Sequence, residues 1–133
     1  MDAPVRNLVR QRAGECCEYC RLSEGAVDVP FHVEHIVAKQ HGGDDSESNL
    51  ALACDRYNLS KGPNLSGIDS ESGETIPLFN PRMQSWDEHF LLQGVTIVGI
   101  TPTGRATVQV LNMNARRRLQ LRSELQSRDE SSR

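Results

Sequence analysis

The chain has 133 residues and a formal net charge of -3, with 15 Lys+Arg against 18 Asp+Glu. That length fits one domain with a small extension and excludes a TIM barrel or a two-domain dehydrogenase. Charged residues at 25% and hydrophobic residues at 37% suit an ordinary folded protein, and argue against wholesale disorder. The mild acidity, taken as a total, argues against a nucleic-acid partner, because such modules are usually basic. No apolar run reaches the roughly 18–20 residues of a membrane span, and the N-terminus has no apolar signal segment. A cytoplasmic location with reduced thiols is therefore expected, with no membrane partner.

The elements follow in chain order. Residues 4–13 carry Val5, Leu8 and Val9 at helical spacing, with Pro4 in the first turn, and predict a short amphipathic helix ended by Gly14. Cys17-Glu18-Tyr19-Cys20 reads as a tight knuckle. With Cys16 adjacent to Cys17, metal ligation is a better reading than a disulfide framework. Residues 31–37 predict a strand, residues 40–49 a polar loop and residues 50–53 a short apolar strand. Asp55 is expected to cap a helix over about 56–61, stopped by Gly62-Pro63.

The second half predicts a turn-rich connection over 63–74 and short strands over 76–79 and 86–92. Residues 95–100 and 106–111 alternate and contain β-branched side chains, which predicts a hairpin closed by Thr101-Pro-Thr-Gly104. A closing helix is expected over 114–126. The expected class is α+β, one domain over 1–133, with a core at about 14–64 and a β-rich extension at about 75–126.

Charge is unevenly spread. Residues 24–48 hold six carboxylates, Glu24, Asp28, Glu34, Asp44, Asp45 and Glu47, against Lys39. Arginines collect at both ends: Arg6, Arg10, Arg12 and Arg21, then Arg116, Arg117, Arg118, Arg122, Arg128 and Arg133. Acidic groups around histidines suit a cation, and basic flanks suit a polyanion, although the terminal arginines read first as solvated helix faces.

Chemistry concentrates in Glu34-His35, Asn49, Cys54-x-x-Tyr57-Asn58 and Lys61-Gly62. Hydrolysing a phosphodiester needs a positioned water, a base for its proton and a cation to neutralise the phosphate. His35 can be the base, because an imidazole is mostly neutral near pH 7–8. Glu34 and Asn58 offer two oxygen ligands for Mg²⁺ or Mn²⁺. Asn49 can pin the loop that holds His35 through bonds to backbone. His32 shares a strand face with Glu34, so phosphate contact and plain exposure are both open to it. Lys61 is open to phosphate contact or to helix C-terminal capping. His41 reads as loop decoration and His89 as packing beside Trp86 and Phe90.

These residues resemble the HNH endonucleases, a family with a ββα-metal (His-Me finger) fold. Phe31-His-Val-Glu-His-Ile-Val looks like the family's first strand. Gly42-Gly43 and Ser48-Asn49-Leu50-Ala51-Leu52 look like its loop and second strand, and Asn58 with Lys61-Gly62 like its helix. The resemblance covers residues 17–62. It implies a ββα-metal core with a short N-terminal helix and a C-terminal hairpin plus helix. It also implies metal-dependent cleavage of DNA, most readily double-stranded, with His35 as general base, Glu34 and Asn58 as metal ligands and Asn49 as loop pin. The segments 62–69, 78–82, 86–90 and 99–106 resemble a bacterial subgroup of the family.

The chain departs from the family in one place. Many relatives hold structural zinc with two Cys-x-x-Cys pairs; here Cys17 and Cys20 face only Cys54, because Tyr57 replaces the fourth cysteine. Three readings stand: a metal-free knuckle with Tyr57 packed in place of the ligand, which is preferred; a site completed by Cys16 or a histidine; or a three-thiolate site that keeps a water. The alternative functions are a non-catalytic nucleic-acid-binding module on the same scaffold and, third, a knuckle that binds another protein.

Overall fold

The N-terminal helix, the central hairpin and the C-terminal half meet in one apolar cluster that runs from Val9 through Leu50, Leu52, Phe79 and Ile97 to Met113. The computed structural model describes residues 2–27, 30–54 and 60–131, with side chains to residue 128. Helix α1 (Ala3–Arg12) begins where Asp2 accepts a hydrogen bond from the Val5 N–H at 3.1 Å. It buries Val9, with Val5 packed beside it. Arg10 donates to the Phe31 carbonyl at 2.9 Å and Arg12 to the Leu50 carbonyl at 2.8 Å. These two arginines, expected as part of a basic flank, are spent on orphan carbonyls of the hairpin.

Strands β1 (His32–His35) and β2 (Leu50–Ala53) pair antiparallel, with Glu34 opposite Ala51 and His35 opposite Leu50. The strand over 31–37 is thus shorter than expected, and the 40–49 loop contains single helical turns at Lys39–His41 and Glu47–Asn49. β2 is buried along its whole length, which its unbroken Leu-Ala-Leu-Ala run requires. The expected helix over 56–61 lies mostly outside the described residues; residues 60 and 61 are helical.

The C-terminal half corrects several expectations. Strand β3 (Ser66–Ile68) pairs with β4 (Thr75–Pro77), so the turn-rich connection over 63–74 contains a strand and the one expected at 76–79 starts earlier and ends sooner. Residues 86–92 are not one strand: a helical turn, α2 (Trp86–His89), leads into β5 (Phe90–Gln93). β5 pairs with β6 (Thr96–Gly99), and α3 (Pro102–Val110) follows. The expected hairpin partner at 106–111 is therefore mainly helix. The Thr101 hydroxyl accepts from the Gly104 N–H at 3.0 Å, and Pro102 takes the first turn. That cap overrides the β propensity of Ala-Thr-Val-Gln-Val and turns Ala106, Thr107 and Leu111 into the core. The extension keeps a hairpin and a closing helix, α4 (Arg116–Ser131), at shifted positions.

β6 and α3 touch through glycines. A Cβ on Gly99 would lie 2.4 Å from the Arg105 backbone nitrogen, and one on Gly104 would lie 2.0 Å from the His89 carbonyl oxygen. Gly104→Ala is expected to cost about 1–3 kcal/mol by overpacking, seen as a lower melting temperature with an unchanged far-UV spectrum.

Candidate active site and thiol knuckle

Asn49 is the hub of the turn that follows β1. Its side-chain Nδ2 donates to the Val37 carbonyl at 3.0 Å and to the Asp44 carbonyl at 2.9 Å. Its Oδ1 accepts from the Val37 N–H at 2.9 Å, and its own carbonyl accepts from the Ile36 N–H at 2.8 Å. Every hydrogen-bonding group of the amide except one acceptor position is thus committed. Gly43 must be a glycine here: a Cβ would sit 1.8 Å from the Val37 oxygen and 2.9 Å from Asn49 Nδ2. Asn49→Ala deletes three bonds worth about 1 kcal/mol each, so a loss of roughly 2–3 kcal/mol is expected in urea denaturation.

The pinned loop delivers Asp45 to His35. The His35 Nε2 lies 2.7 Å from Asp45 Oδ1, and Lys39 Nζ lies 3.4 Å from the same oxygen. The His35 hydrogen bond holds the Asp45 carboxyl below its ordinary value, with Lys39 adding to the effect. The His35 side chain is 22% exposed, so solvent reaches it. Asp45 was grouped with the loop's other carboxylates by the sequence; a run of loop acids carries no signal that picks out the one facing a histidine.

Glu34 points the other way, as strand alternation requires. It is 7% exposed and lies beside the Tyr19 hydroxyl and the buried Lys61. Glu34 Oε1 and Tyr19 Oη are buried with no direct hydrogen bond among the described residues. Lys61 donates to the Ile36 carbonyl at 2.8 Å, so its ammonium faces the interior. Burial raises the Glu34 carboxyl above its usual value; Lys61 first, and Tyr19 next, pull the other way. Burial likewise lowers the Lys61 ammonium against the pull of Glu34. The structure thus brings Glu34 to Lys61 and His35 to Asp45, on opposite faces of β1. His32 is exposed at the far end of β1, about 10 Å along the strand from His35. Asn58 and Tyr57 lie outside the described residues. His41 is exposed at the end of its turn, and His89 packs on Phe79 and bonds Thr101 at 2.6 Å.

Cys17, Cys20 and Cys54 converge, with all three sulfurs within 4.8 Å of one another. The knuckle closes through the Cys17 N–H to Leu22 carbonyl and the Arg21 N–H to Cys17 carbonyl bonds, with Arg21 at φ 64. Hydrogen bonds from Cys17 and Cys20 push the Cys54 thiol far below its usual range, against the opposing effect of burial and helped by Arg118. Burial pushes Cys17 well up and Cys20 up to about 11. Three thiolates in this arrangement can hold a thiophilic metal ion.

Residues 17–63 match the family model for the HNH endonuclease. That segment, about a third of the chain, is similar to the HNH endonuclease domain. No curated protein and no solved structure matches the chain significantly. Within this HNH-like segment, β1 and β2 supply the two strands of a ββα-metal core, and the Asn49 turn joins them. No helix among the described residues is long and apolar enough to cross a membrane.

The raised Glu34 carboxyl has a measurable consequence. A folded-state value above the unfolded one, about 4.3, means the fold prefers the protonated form. That contribution is complete below the unfolded value and is lost as pH rises through the folded one. In chelator, the wild-type melting temperature is expected to fall relative to Glu34→Gln across that window.

Proposed function

We propose that this chain is a metal-dependent endonuclease that hydrolyses phosphodiester bonds of double-stranded DNA in the cytoplasm. The observation that carries the reading is His35, held half-open at the end of β1 by an Asn49-pinned turn and adjacent in the chain to a buried carboxylate whose Oε1 has no hydrogen-bond partner among the described residues. An orphaned carboxylate oxygen fits a hard divalent cation, since such ions take oxygen ligands and desolvated anions need a counter-charge. Glu34 and Asn58 would hold Mg²⁺ or Mn²⁺. When bound, that ion supplies positive charge to the scissile phosphate and to the leaving oxygen.

The chain's own residues do the rest. His35 accepts the proton of the attacking water at a ring nitrogen. In the hydrogen-bonded pair seen here, ionised Asp45 accepts from Nε2–H, which leaves the Nδ1 lone pair for that proton. Asn49 fixes the loop, so the imidazole loses little orientational freedom at the moment of reaction. Lys61, inside the domain, balances Glu34 rather than reaching solvent, and its part in catalysis is to set that carboxylate's charge.

A second reading keeps the scaffold and drops the chemistry. The Coulomb attraction of buried Lys61 favours it, since that charge offsets part of the carboxylate's burial cost without a cation. The two separate in a supercoiled-plasmid nicking assay with Mg²⁺ or Mn²⁺. The nuclease reading expects metal-dependent nicking that falls at least about 100-fold in His35→Ala, with DNA retention unchanged. Salt-sensitive retention of DNA with no nicking by the wild type in either metal would establish the non-catalytic reading.

A further inference from the structure

Among the contacts that join the C-terminal half to the cysteine knuckle, four bear on its charge and its closure. The Trp86 Nε1–H donates to the Tyr19 carbonyl at 2.7 Å. Arg82 pairs with Glu18. The Arg21 guanidinium lies 4.3 Å from the centre of the Trp86 ring. Arg118, from α4, donates through Nη1 to Cys54 Sγ at 3.2 Å. The first three hold the outside of the knuckle. The fourth brings a permanent positive charge to the sulfurs themselves.

Charge counting shows what that does. Three thiolates around a divalent cation sum to -1. Cys17 is fully buried and Cys54 is 5% exposed, and the Glu34 carboxylate also acts on Cys54. Net negative charge in such surroundings is costly unless a cation is fixed beside it. Arg118 is fixed there by its bond to Cys54 Sγ and places a positive charge beside the sulfurs. Helix α4 in turn depends on polar anchors. Its Leu119, Leu121 and Leu125 are half-buried and, among the described residues, are not packed into the apolar cluster. It is held by Arg122 to the Val95 carbonyl at 2.9 Å and Gln126 to the Gly94 carbonyl at 2.9 Å. A helix held this way responds to the charge at its Arg118 anchor.

We propose that Arg118 is the charge-balancing, positioning residue of a three-thiolate site for a zinc-class cation, and that loading the site fastens α4 against the knuckle. The site fits on its donor set and its sulfur spacing. The C-terminal extension then acts as a strap that senses metal, independently of the Glu34–His35 chemistry.

The test uses the full chain, stripped with chelator and titrated with Zn²⁺. Co²⁺ serves as the optical probe, because sulfur-to-cobalt bands scale with the number of thiolates. One equivalent is expected, with band intensity for three thiolates that drops by one in Cys20→Ser. Amide exchange over residues 116–128 is expected to slow on Zn²⁺ addition. Arg118→Gln keeps a side-chain donor and removes the charge; it should weaken Zn²⁺ binding by about 10- to 100-fold and abolish the slowing. Arg118→Lys should restore most of both. Exchange over β1 and β2 reports that each variant is folded. Failure of the wild type to take up Zn²⁺, wild-type affinity in Arg118→Gln, or exchange in α4 indifferent to Zn²⁺ would each overturn the proposal. None of these readouts involves DNA cleavage, so the strap and the nuclease reading stand or fall separately.

Discussion

One side-chain amide organises the region around the candidate site. Asn49 ties Val37, on the way out of β1, to Asp44, on the way back into β2. A ten-residue polar loop has little apolar surface to hold it, so its shape comes from hydrogen bonds alone. The amide is suited to that task because it presents donors and an acceptor in one rigid plane. An aspartate would lose both donations, and a glutamine would add a rotatable bond to freeze. The Gly43 backbone closes against the same amide so tightly that no Cβ fits. The position of Asp45, and with it the orientation of His35, follows from that closure.

Behind the loop, the domain tolerates charges that a core of this size should resist. Glu34 is 7% exposed and Lys61 2%. Their attraction does not cancel the cost of burial, because both groups shift toward their neutral forms. Such a pair is poor evidence for stability. The proposed cation site gives it a reason: among the described residues Glu34 Oε1 has no hydrogen-bond partner, and an oxygen-seeking ion would relieve that deficit. Instability stored locally at a functional carboxylate is the usual trade between stability and activity.

How much of this was legible in the sequence depended on the scale of the signal. Short-range signals carried well. The Leu50–Ala53 run, the Cys17-x-x-Cys20 knuckle and the Gly43–Asn49 loop all occur where local pattern placed them. The His35–Asp45 contact did not show, since nothing in a string of loop acids says which one folds back ten residues. Ala106–Leu111 was misread for another reason. Its β-branched alternation is real, but the Thr101-Pro102 start and contacts with β6 decide the outcome. The Cys54–Arg118 contact spans 64 residues and has no sequence signature at all.

The net charge of -3 also reads differently once these contacts are known. Arg10 and Arg12 cap hairpin carbonyls, Arg82 holds Glu18, and Arg105 holds the buried Asp69. Those cations are internal fasteners and contribute little field outside. Among the carboxylates, Glu24 is tied to Arg10 and to the Phe31 N–H, Glu18 accepts from the Leu52 N–H, and Glu34 is buried. Acids and bases are consumed alike, so the total says little about what the surface presents to a polyanion. What matters for a phosphate is the local sum at the end of β1. Under the proposed metal role, a divalent ion on Glu34 would change that sum by two units at one point, within the range where Coulomb forces are screened least. A small acidic chain can therefore receive a polyanion without a basic surface, provided the cation comes with the site.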